Sequence, residues 1–193
     1  KIDDDIYIWT GTATQYKVNL LRKFFEQYKQ DPSDLVFFLD DSKGIGSDEE
    51  IERYKIRRKY WESVLPSLQE ATGTFLNISP SKNNSIMGAT ARSGVYLCCV
   101  ANYDSARVEI FIDQGDYQKN RAIYKRLEQN RDAIEVAYGK SLNWVCQDDV
   151  RACKVYDEIK EVSIKNEEDW PVMSAFHIQR AKALLVATKQ FLA

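Results

Sequence analysis

Apolar positions near the start of the chain follow two different spacings. Ile6 and Ile8 alternate with polar residues, as in a strand, whereas Val18, Leu21 and Phe25 recur at the spacing of a helix. An apolar run over residues 35–39 then has the length of a buried strand. The pattern predicts a β-α-β segment over residues 1–41, for which the end of an upstream domain is one interpretation. Residues 42–47 contain two glycines and no periodicity, and they are predicted to be a linker.

A second and larger domain is predicted over residues 48–193. A long helix follows a capping-box sequence at Ser47 and ends at Gly73, with Pro66 expected to kink it or divide it in two. One helix is expected from Asp116 to a stop at Gly139, and a terminal helix is expected to begin near Asp169. Strand patterns cover residues 86–87, 95–101 and 107–113, and a hairpin is predicted from 142–146 and 152–156. The order α-β-β-β-α-β-β-α predicts an α/β (α+β) fold with a mixed or antiparallel central sheet flanked by helices.

The second and third strands of this domain differ in their patterns. Residues 95–101 are apolar on both faces, which predicts a central strand. The third strand alternates, so one of its faces should pack in the core and the other should present polar groups. The apolar face has Val108, Ile110 and Ile112, and the polar face has Arg107, Glu109 and Asp113.

Composition narrows the class of protein without fixing an activity. The chain has 193 residues, 44% of them hydrophobic, with 27 Lys and Arg against 29 Asp and Glu. This balance excludes intrinsic disorder and lacks the basic excess of a typical nucleic-acid-binding domain. No apolar run approaches the roughly 18 residues of a membrane span, and the first residues do not resemble a signal peptide. We therefore expect a cytoplasmic protein with no membrane partner.

The four cysteines do not have the spacing of a zinc site. Cys98 and Cys99 are adjacent in an apolar run, and Cys146 and Cys153 lack the C-x-x-C pattern. The sequence therefore predicts four free thiols that are buried or partly buried. We also expect no metal site.

Several motifs with rare residues occur in one order from about residue 47 to the end of the chain. They are Tyr60-Trp61, Leu65-Pro66, Asn77-Ile78-Ser79-Pro80-Ser81-Lys82, Ser93-Gly94-Val95, the strand at residues 107–113, Leu142-Asn143-Trp144 and Glu168-Asp169-Trp170-Pro171. In these motifs the chain resembles one uncharacterised prokaryotic family, the domain of unknown function DUF4268, over about three quarters of its length. The resemblance implies a C-terminal module of proteins that often carry a nuclease-like upstream domain. It favours nucleic-acid processing or phage defence and transfers no catalytic residue.

The element order also resembles the core of restriction-endonuclease-like proteins. Such nucleases hold Mg²⁺ with carboxylates and place a lysine two residues after an acid on the third strand. Here Glu109 is followed at that position by Phe111, which favours a degenerate, non-cleaving relative. A metal-dependent endonuclease that uses Asp104, Glu109 and Asp113 stays open as an alternative, and only that alternative requires Mg²⁺.

Basic residues supply the candidates for nucleic-acid binding. Lys82 lies in a loop rich in hydroxyl and amide groups, residues 79–84, and Arg57 and Arg126 lie on predicted helices that also carry many acids. Arg92 and Arg107 could share an anion site with Lys82, although isolated ion pairs, or salt bridges on the helix surfaces, are the commoner explanation of such residues. The sum of charges cannot reveal whether the basic residues converge in space.

The single histidine, His177, lies beside the apolar stripe of the terminal helix and is interpreted as a packing residue. We predict a non-catalytic accessory module of a larger bacterial nuclease or defence protein, associated with DNA or RNA. Its expected partners are the nucleic acid and an upstream domain of the parent protein. The second alternative is a protein-interaction or oligomerisation domain, and the oligomeric state is open.

Overall fold

The long first helix is continuous through its proline. The computed structural model describes residues 48–192, and helix α1 spans Asp48–Thr72 with Pro66 inside it. Of the two predicted effects of Pro66, a kink or a division, the division does not occur. Pro66 lies on the exposed side, and the buried Leu65 and Leu68 hold the helix on both sides of it. The helix ends as predicted at Gly73, which adopts φ +64°.

Five strands form one antiparallel sheet within the described residues. They are β1 Ser85–Ala89, β2 Val95–Ala101, β3 Ser105–Ile112, β4 Asn143–Val145 and β5 Cys153–Lys160. Their order in the sheet is β1-β2-β3-β5-β4. This order confirms an α+β fold with an antiparallel sheet and places β2 in the interior, whereas a restriction-endonuclease-like core is not confirmed.

The strand register gives the sheet two unlike faces. Cys99 pairs with Val108, and Leu97 pairs with Ile110, so these four fully buried side chains share the face on which the helices pack. The predicted alternation of β3 is therefore confirmed. We call the opposite side of the sheet the open face. Its residues on the first three strands are Ser85, Met87, Ala89, Tyr96, Cys98, Val100, Arg107, Glu109 and Phe111.

Two helices replace the single helix predicted between Asp116 and Gly139. Helix α2 spans Tyr117–Glu128, and α3 spans Arg131–Tyr138. The break falls at Gln129 and Asn130. There the side-chain amide of Asn130 donates to the carbonyl of Arg126, in place of the backbone hydrogen bond that would continue the helix. The predicted cap at Asp116 and the stop at Gly139 are confirmed. The predicted buried positions are also confirmed: Ile123, Leu127, Ile134 and Tyr138.

The prediction of four free thiols is wrong for two of them. Cys146 and Cys153 form a disulfide, and Cys98 and Cys99 are free and buried. The register of the predicted hairpin explains the bond. Val145 pairs with Lys154, so Cys146, which follows Val145, lies opposite Cys153, which precedes Lys154. The two Cα atoms lie 4.4 Å apart, within the range that a disulfide can bridge.

The chain closes with a 3-10 turn, Glu167–Asp169, and helix α4, Trp170–Leu192. The predicted start near Asp169 is confirmed, and Pro171 falls in the first turn, where it costs no hydrogen bond. Helix α4 packs across β2 and β3. None of the helices within residues 48–192 has the length and apolar character needed to cross a membrane. The predicted segments 1–41 and 42–47 lie outside the described residues, so the domain boundaries stay predictions.

His177 is a packing residue, as predicted. Its Nδ1 lies 2.7 Å from the Tyr60 hydroxyl, and its Nε2 lies 3.1 Å from the carbonyl oxygen of Val100. These partners fit a neutral ring that accepts from Tyr60 and donates to Val100. Complete burial lowers the pKa of His177 from about 6.5 to about 4.

This burial predicts a loss of stability in mild acid. The unfolded chain binds a proton at His177 below pH ~6.5, whereas the folded protein binds it only near pH 4. The contribution of the neutral His177 to the free energy of unfolding is therefore fully present above pH ~6.5. It is lost as the pH falls towards 4, and the loss is up to about 3 kcal/mol. Since the chain has one histidine, its imidazole signal in an NMR titration reports this site alone. A midpoint near pH 6.5 would contradict the buried neutral ring.

Candidate functional site

Positive and aromatic side chains from four parts of the chain meet at one end of the sheet. The guanidinium of Arg57 lies 5.7 Å from the centre of the Tyr103 ring, and the Lys165 ammonium lies 4.5 Å from the same ring. Lys82 lies 4.9 Å from the ring of Tyr54, and its carbonyl accepts a 3.4 Å hydrogen bond from Arg57. We call Tyr54, Arg57, Lys82, Tyr103 and Lys165 the cationic patch.

Hydrogen bonds from both side chains and backbone hold the segments of this patch together. The indole of Trp61 donates to the carbonyl of Asn83 at 2.9 Å, which fixes the Lys82 loop to α1. The side chain of Asn84 donates to the Asn102 side chain at 2.9 Å, and the amide of Ile164 donates to the Asn102 carbonyl at 2.9 Å. The loop before β1, the β2–β3 turn and the segment after β5 are therefore one connected unit.

The charges of the patch are not neutralised by ion pairs. Within residues 48–192, Arg57, Lys82 and Lys165 form no salt bridge, whereas the neighbouring Lys59 lies 2.6 Å from a Glu167 oxygen. Asp104, next to Tyr103, and Glu161, whose backbone amide donates to the Asp104 carbonyl, are acids close to the patch. Cations that are not paired within the described residues leave a positive surface that attracts anions.

A small polar pocket opens on the sheet beside the patch. Its volume is about 190 Å³, and two charged side chains, Arg107 and Glu109, share it. Arg107 Nε lies 2.8 Å from Glu109 Oε2 as an ion pair, but neither atom makes a hydrogen bond within the described chain. The other residues of the polar pocket are Asn84, Ser85, Met87, Cys98, Val100 and Phe111.

The polar pocket continues into a wider apolar groove. Met87 and Phe111 line both spaces, so the two lie side by side on the open face. The groove has a volume of about 580 Å³ and also exposes Tyr96 and Leu76. Leu76 is 65% exposed and Met87 is 48% exposed, and the two share this groove, so its apolar surface is contiguous.

The predicted basic candidates divide into two sets. Arg57 and Lys82 meet in the cationic patch, and Arg107 lies in the polar pocket beside it. Arg92 lies in the β1–β2 turn at the other end of the seven-residue β2, roughly 20 Å along the strand. Arg126 lies on the exposed side of α2, whose buried side packs on the helix-covered face. The last two are therefore outside the site.

The three candidate carboxylates are not brought together. Asp104 precedes β3 and Asp113 follows it, so the eight-residue strand separates them by roughly 27 Å. Two hydrogen bonds of 2.9 and 2.6 Å tie Asp113 to Arg151, and they lower the pKa of Asp113. Residues 48–192 contain no cluster of three His, Cys, Asp or Glu side chains with the spacing of a metal site.

Sequence reasoning missed Tyr54, Tyr103 and Lys165. Tyr54 fits the apolar pattern of α1, so its position gave no signal of a site. Tyr103 lies in a turn, where a large aromatic side chain has little core to pack against, and it is 39% exposed. This signal could have identified Tyr103. Lys165 lies in a segment without periodicity, and hydrogen bonds from Glu161 to Asp104 and from Ile164 to Asn102 bring that segment to the turn.

Comparison with known proteins gives one match. A family model described as a domain of unknown function, DUF4268, matches residues 56–192. No curated protein and no protein of solved structure matches the sequence.

Proposed function

The chain belongs to the DUF4268 family, whose function is unknown, and from its own geometry we propose that it is a non-catalytic module that binds single-stranded nucleic acid. The observation that carries this proposal is the cationic patch, in which three basic side chains that form no ion pair within residues 48–192 lie beside the half-buried Tyr54 and the exposed Tyr103. Cations of this kind bind phosphates, and exposed aromatic rings stack on bases.

The cationic patch, the polar pocket and the apolar groove follow one another, and this order supports a path for a bound nucleic-acid strand. Lys82 is two residues from Asn84, which lines the polar pocket, and Phe111 joins that pocket to the apolar groove. Phosphates would lie against the cationic patch, and bases would lie on the open face near Phe111 and Tyr96. This favours a single strand over a duplex, because bases in a duplex are already stacked on each other.

The cellular setting is part of the same proposal. The family resemblance supports an accessory module of a larger bacterial nuclease or phage-defence protein, with an upstream domain as its partner. The location that we propose is the cytoplasm, which the lack of a long apolar run supports and the Cys146–Cys153 disulfide does not. The module would supply binding, and the partner domain would supply catalysis.

The proposal predicts salt-dependent binding that the patch controls. Replacing Arg57, Lys82 and Lys165 together with alanine should lower affinity for a labelled single-stranded oligonucleotide by about 10- to 100-fold at low salt. The slope of log affinity against log salt should fall by roughly 2, because about 0.7 counterion is released for each phosphate contact. Fluorescence anisotropy at about 50 and 200 mM salt measures both quantities.

A matched control removes the same charge elsewhere. Lys119, Lys125 and Arg126 are exposed on α2, so their triple alanine variant should keep the affinity of the native protein. Equal losses in the two triple variants would show that net charge alone drives binding. An absence of binding at about 50 mM salt would contradict the proposal directly.

A protein-interaction domain is the second candidate, and the apolar groove favours it. Leu76 and Met87 project into a space of about 580 Å³ that could hold apolar side chains of a partner. This candidate predicts that an alanine substitution at Leu76 abolishes partner capture and that the cationic patch can be removed without effect.

A further inference from the structure

The Arg107–Glu109 pair is buried but incompletely satisfied. Glu109 is 7% exposed, and its Oε2 has no hydrogen-bond donor within the described chain. The Nε of Arg107 is likewise without an acceptor. These two atoms lie 2.8 Å from each other, and both residues line the polar pocket.

Packing does not explain this pair. An incompletely bonded ion pair in a buried site is often less stable than apolar residues of similar size. The neighbours of Glu109 across the strands are Cys98 on β2 and Tyr156 on β5, and neither is a cation that would pair with the carboxylate. The Arg151–Asp113 pair differs from the Arg107–Glu109 pair. Two direct hydrogen bonds join Arg151 to Asp113, and neither residue lines the polar pocket.

We propose that the polar pocket binds one guanine base of the single strand that the proposed function places on the open face. The inference rests on that function and adds the identity of the base. The volume of about 190 Å³ is smaller than the roughly 300–1,000 Å³ of sites for drug-sized ligands, and it suits a single planar ring system.

The polar groups of the pocket match guanine better than the other bases. Guanine offers two adjacent donors, N1–H and the N2 amino group, and one carboxylate can accept from both. Its O6 and N7 atoms accept from an arginine fork such as Arg107. Adenine and cytosine place a ring-nitrogen lone pair where Glu109 needs a donor. Thymine and uracil flank their single ring donor with two carbonyl oxygens, which a carboxylate repels.

The neighbouring side chains fit the same ligand. Phe111 and Met87 line the pocket and offer an aromatic ring and a thioether for contact with the flat faces of a base. Asn84 and Ser85 lie at the end of the pocket towards Lys82, the end at which the sugar and phosphate would reach the cationic patch.

The test compares three short strands by fluorescence anisotropy. These are an oligothymidine, the same strand with one central guanine, and the same strand with hypoxanthine, which lacks the N2 amino group, in that position. The native protein should bind the guanine strand about tenfold more tightly than the oligothymidine, with the hypoxanthine strand between them. This comparison requires no variant. Equal affinity for the three strands would overturn the inference.

Two substitutions then locate the preference. Glu109→Gln should reduce the guanine preference to less than twofold and leave binding of the oligothymidine unchanged. Glu158→Gln, also on the open face at the position opposite Arg107, should keep the preference. A guanine preference that survives Glu109→Gln would overturn the assignment. If that variant does not fold, Arg107→Lys keeps the charge, removes the fork and should lower the preference in the same way.

The failures of the two proposals are distinguishable. Salt-dependent binding of every strand without a guanine preference would overturn the pocket assignment and leave the proposed function standing. A lack of binding to any strand at low salt would overturn both.

Discussion

Replacing Trp61 with alanine is expected to lower the free energy of unfolding by about 3 to 5 kcal/mol. The Trp61 side chain is fully buried between the first and last helices, with ring centres 5.0 Å from Tyr60 and 5.8 Å from His177. Removal of so large a ring leaves a cavity and exposes no compensating group. The substitution also removes the indole donor to the Asn83 carbonyl. Urea denaturation followed by circular dichroism measures the effect.

Two variants separate packing from hydrogen bonding at this position. Trp61→Phe keeps most of the apolar contact but loses the bond to Asn83, so we expect a smaller cost of about 1 to 2 kcal/mol. Because that bond anchors the Lys82 loop, Trp61→Phe should also weaken nucleic-acid binding several-fold. Val136→Ala, on the exposed side of α3, should change stability by less than about 0.5 kcal/mol. A fully stable Trp61→Ala protein would contradict this view of the core.

Replacing Asp157 with alanine should cost about 2 to 4 kcal/mol. Asp157 is buried on the helix-covered side of β5, where its carboxylate accepts from the Tyr138 hydroxyl at 2.6 Å. It also lies 2.7 Å from the Lys140 ammonium and 3.7 Å from Arg180 Nε. Without the carboxylate, the buried Tyr138 hydroxyl loses its acceptor. Both cations are partly exposed and can turn to water, which limits the cost.

A double-mutant cycle tests this explanation. If the unsatisfied hydroxyl is the main cost, Tyr138→Phe should destabilise the native protein but have little effect in the Asp157→Ala protein. The matched control is Asp149→Ala, which removes an exposed carboxylate from the β4–β5 loop and should be nearly neutral. Additive effects of the two substitutions would show that Asp157 acts independently of Tyr138.

The strand pattern was sufficient to predict the sheet, because alternation is a local property. Val108, Ile110 and Ile112 occupy the core face as their spacing indicates. The Cys146–Cys153 bond was not predictable in the same way. It depends on the register of a hairpin, and a shift of one residue would have placed the two sulfurs on opposite faces.

The sequence identified two basic residues of the candidate site, but it could not show that they lie close together. Lys82 and Arg57 were identified from composition, but their meeting depends on the bond from Trp61 to the Asn83 carbonyl. Arg126 looked equally promising and lies on the exposed side of α2. Charges distant in sequence converge only through tertiary contacts, which a count of basic residues does not contain.

The contact between Tyr60 and His177 joins parts of the chain 117 residues apart. During synthesis, the strands up to β3 leave the ribosome well before α4 can cover them, so Leu97, Val108 and Ile110 face water for that interval. Contacts of such long separation in sequence form slowly and expose apolar surface to aggregation. A nascent chain that stops before α4 should therefore depend on chaperones, and fragments that lack residues 170–192 should collect in inclusion bodies.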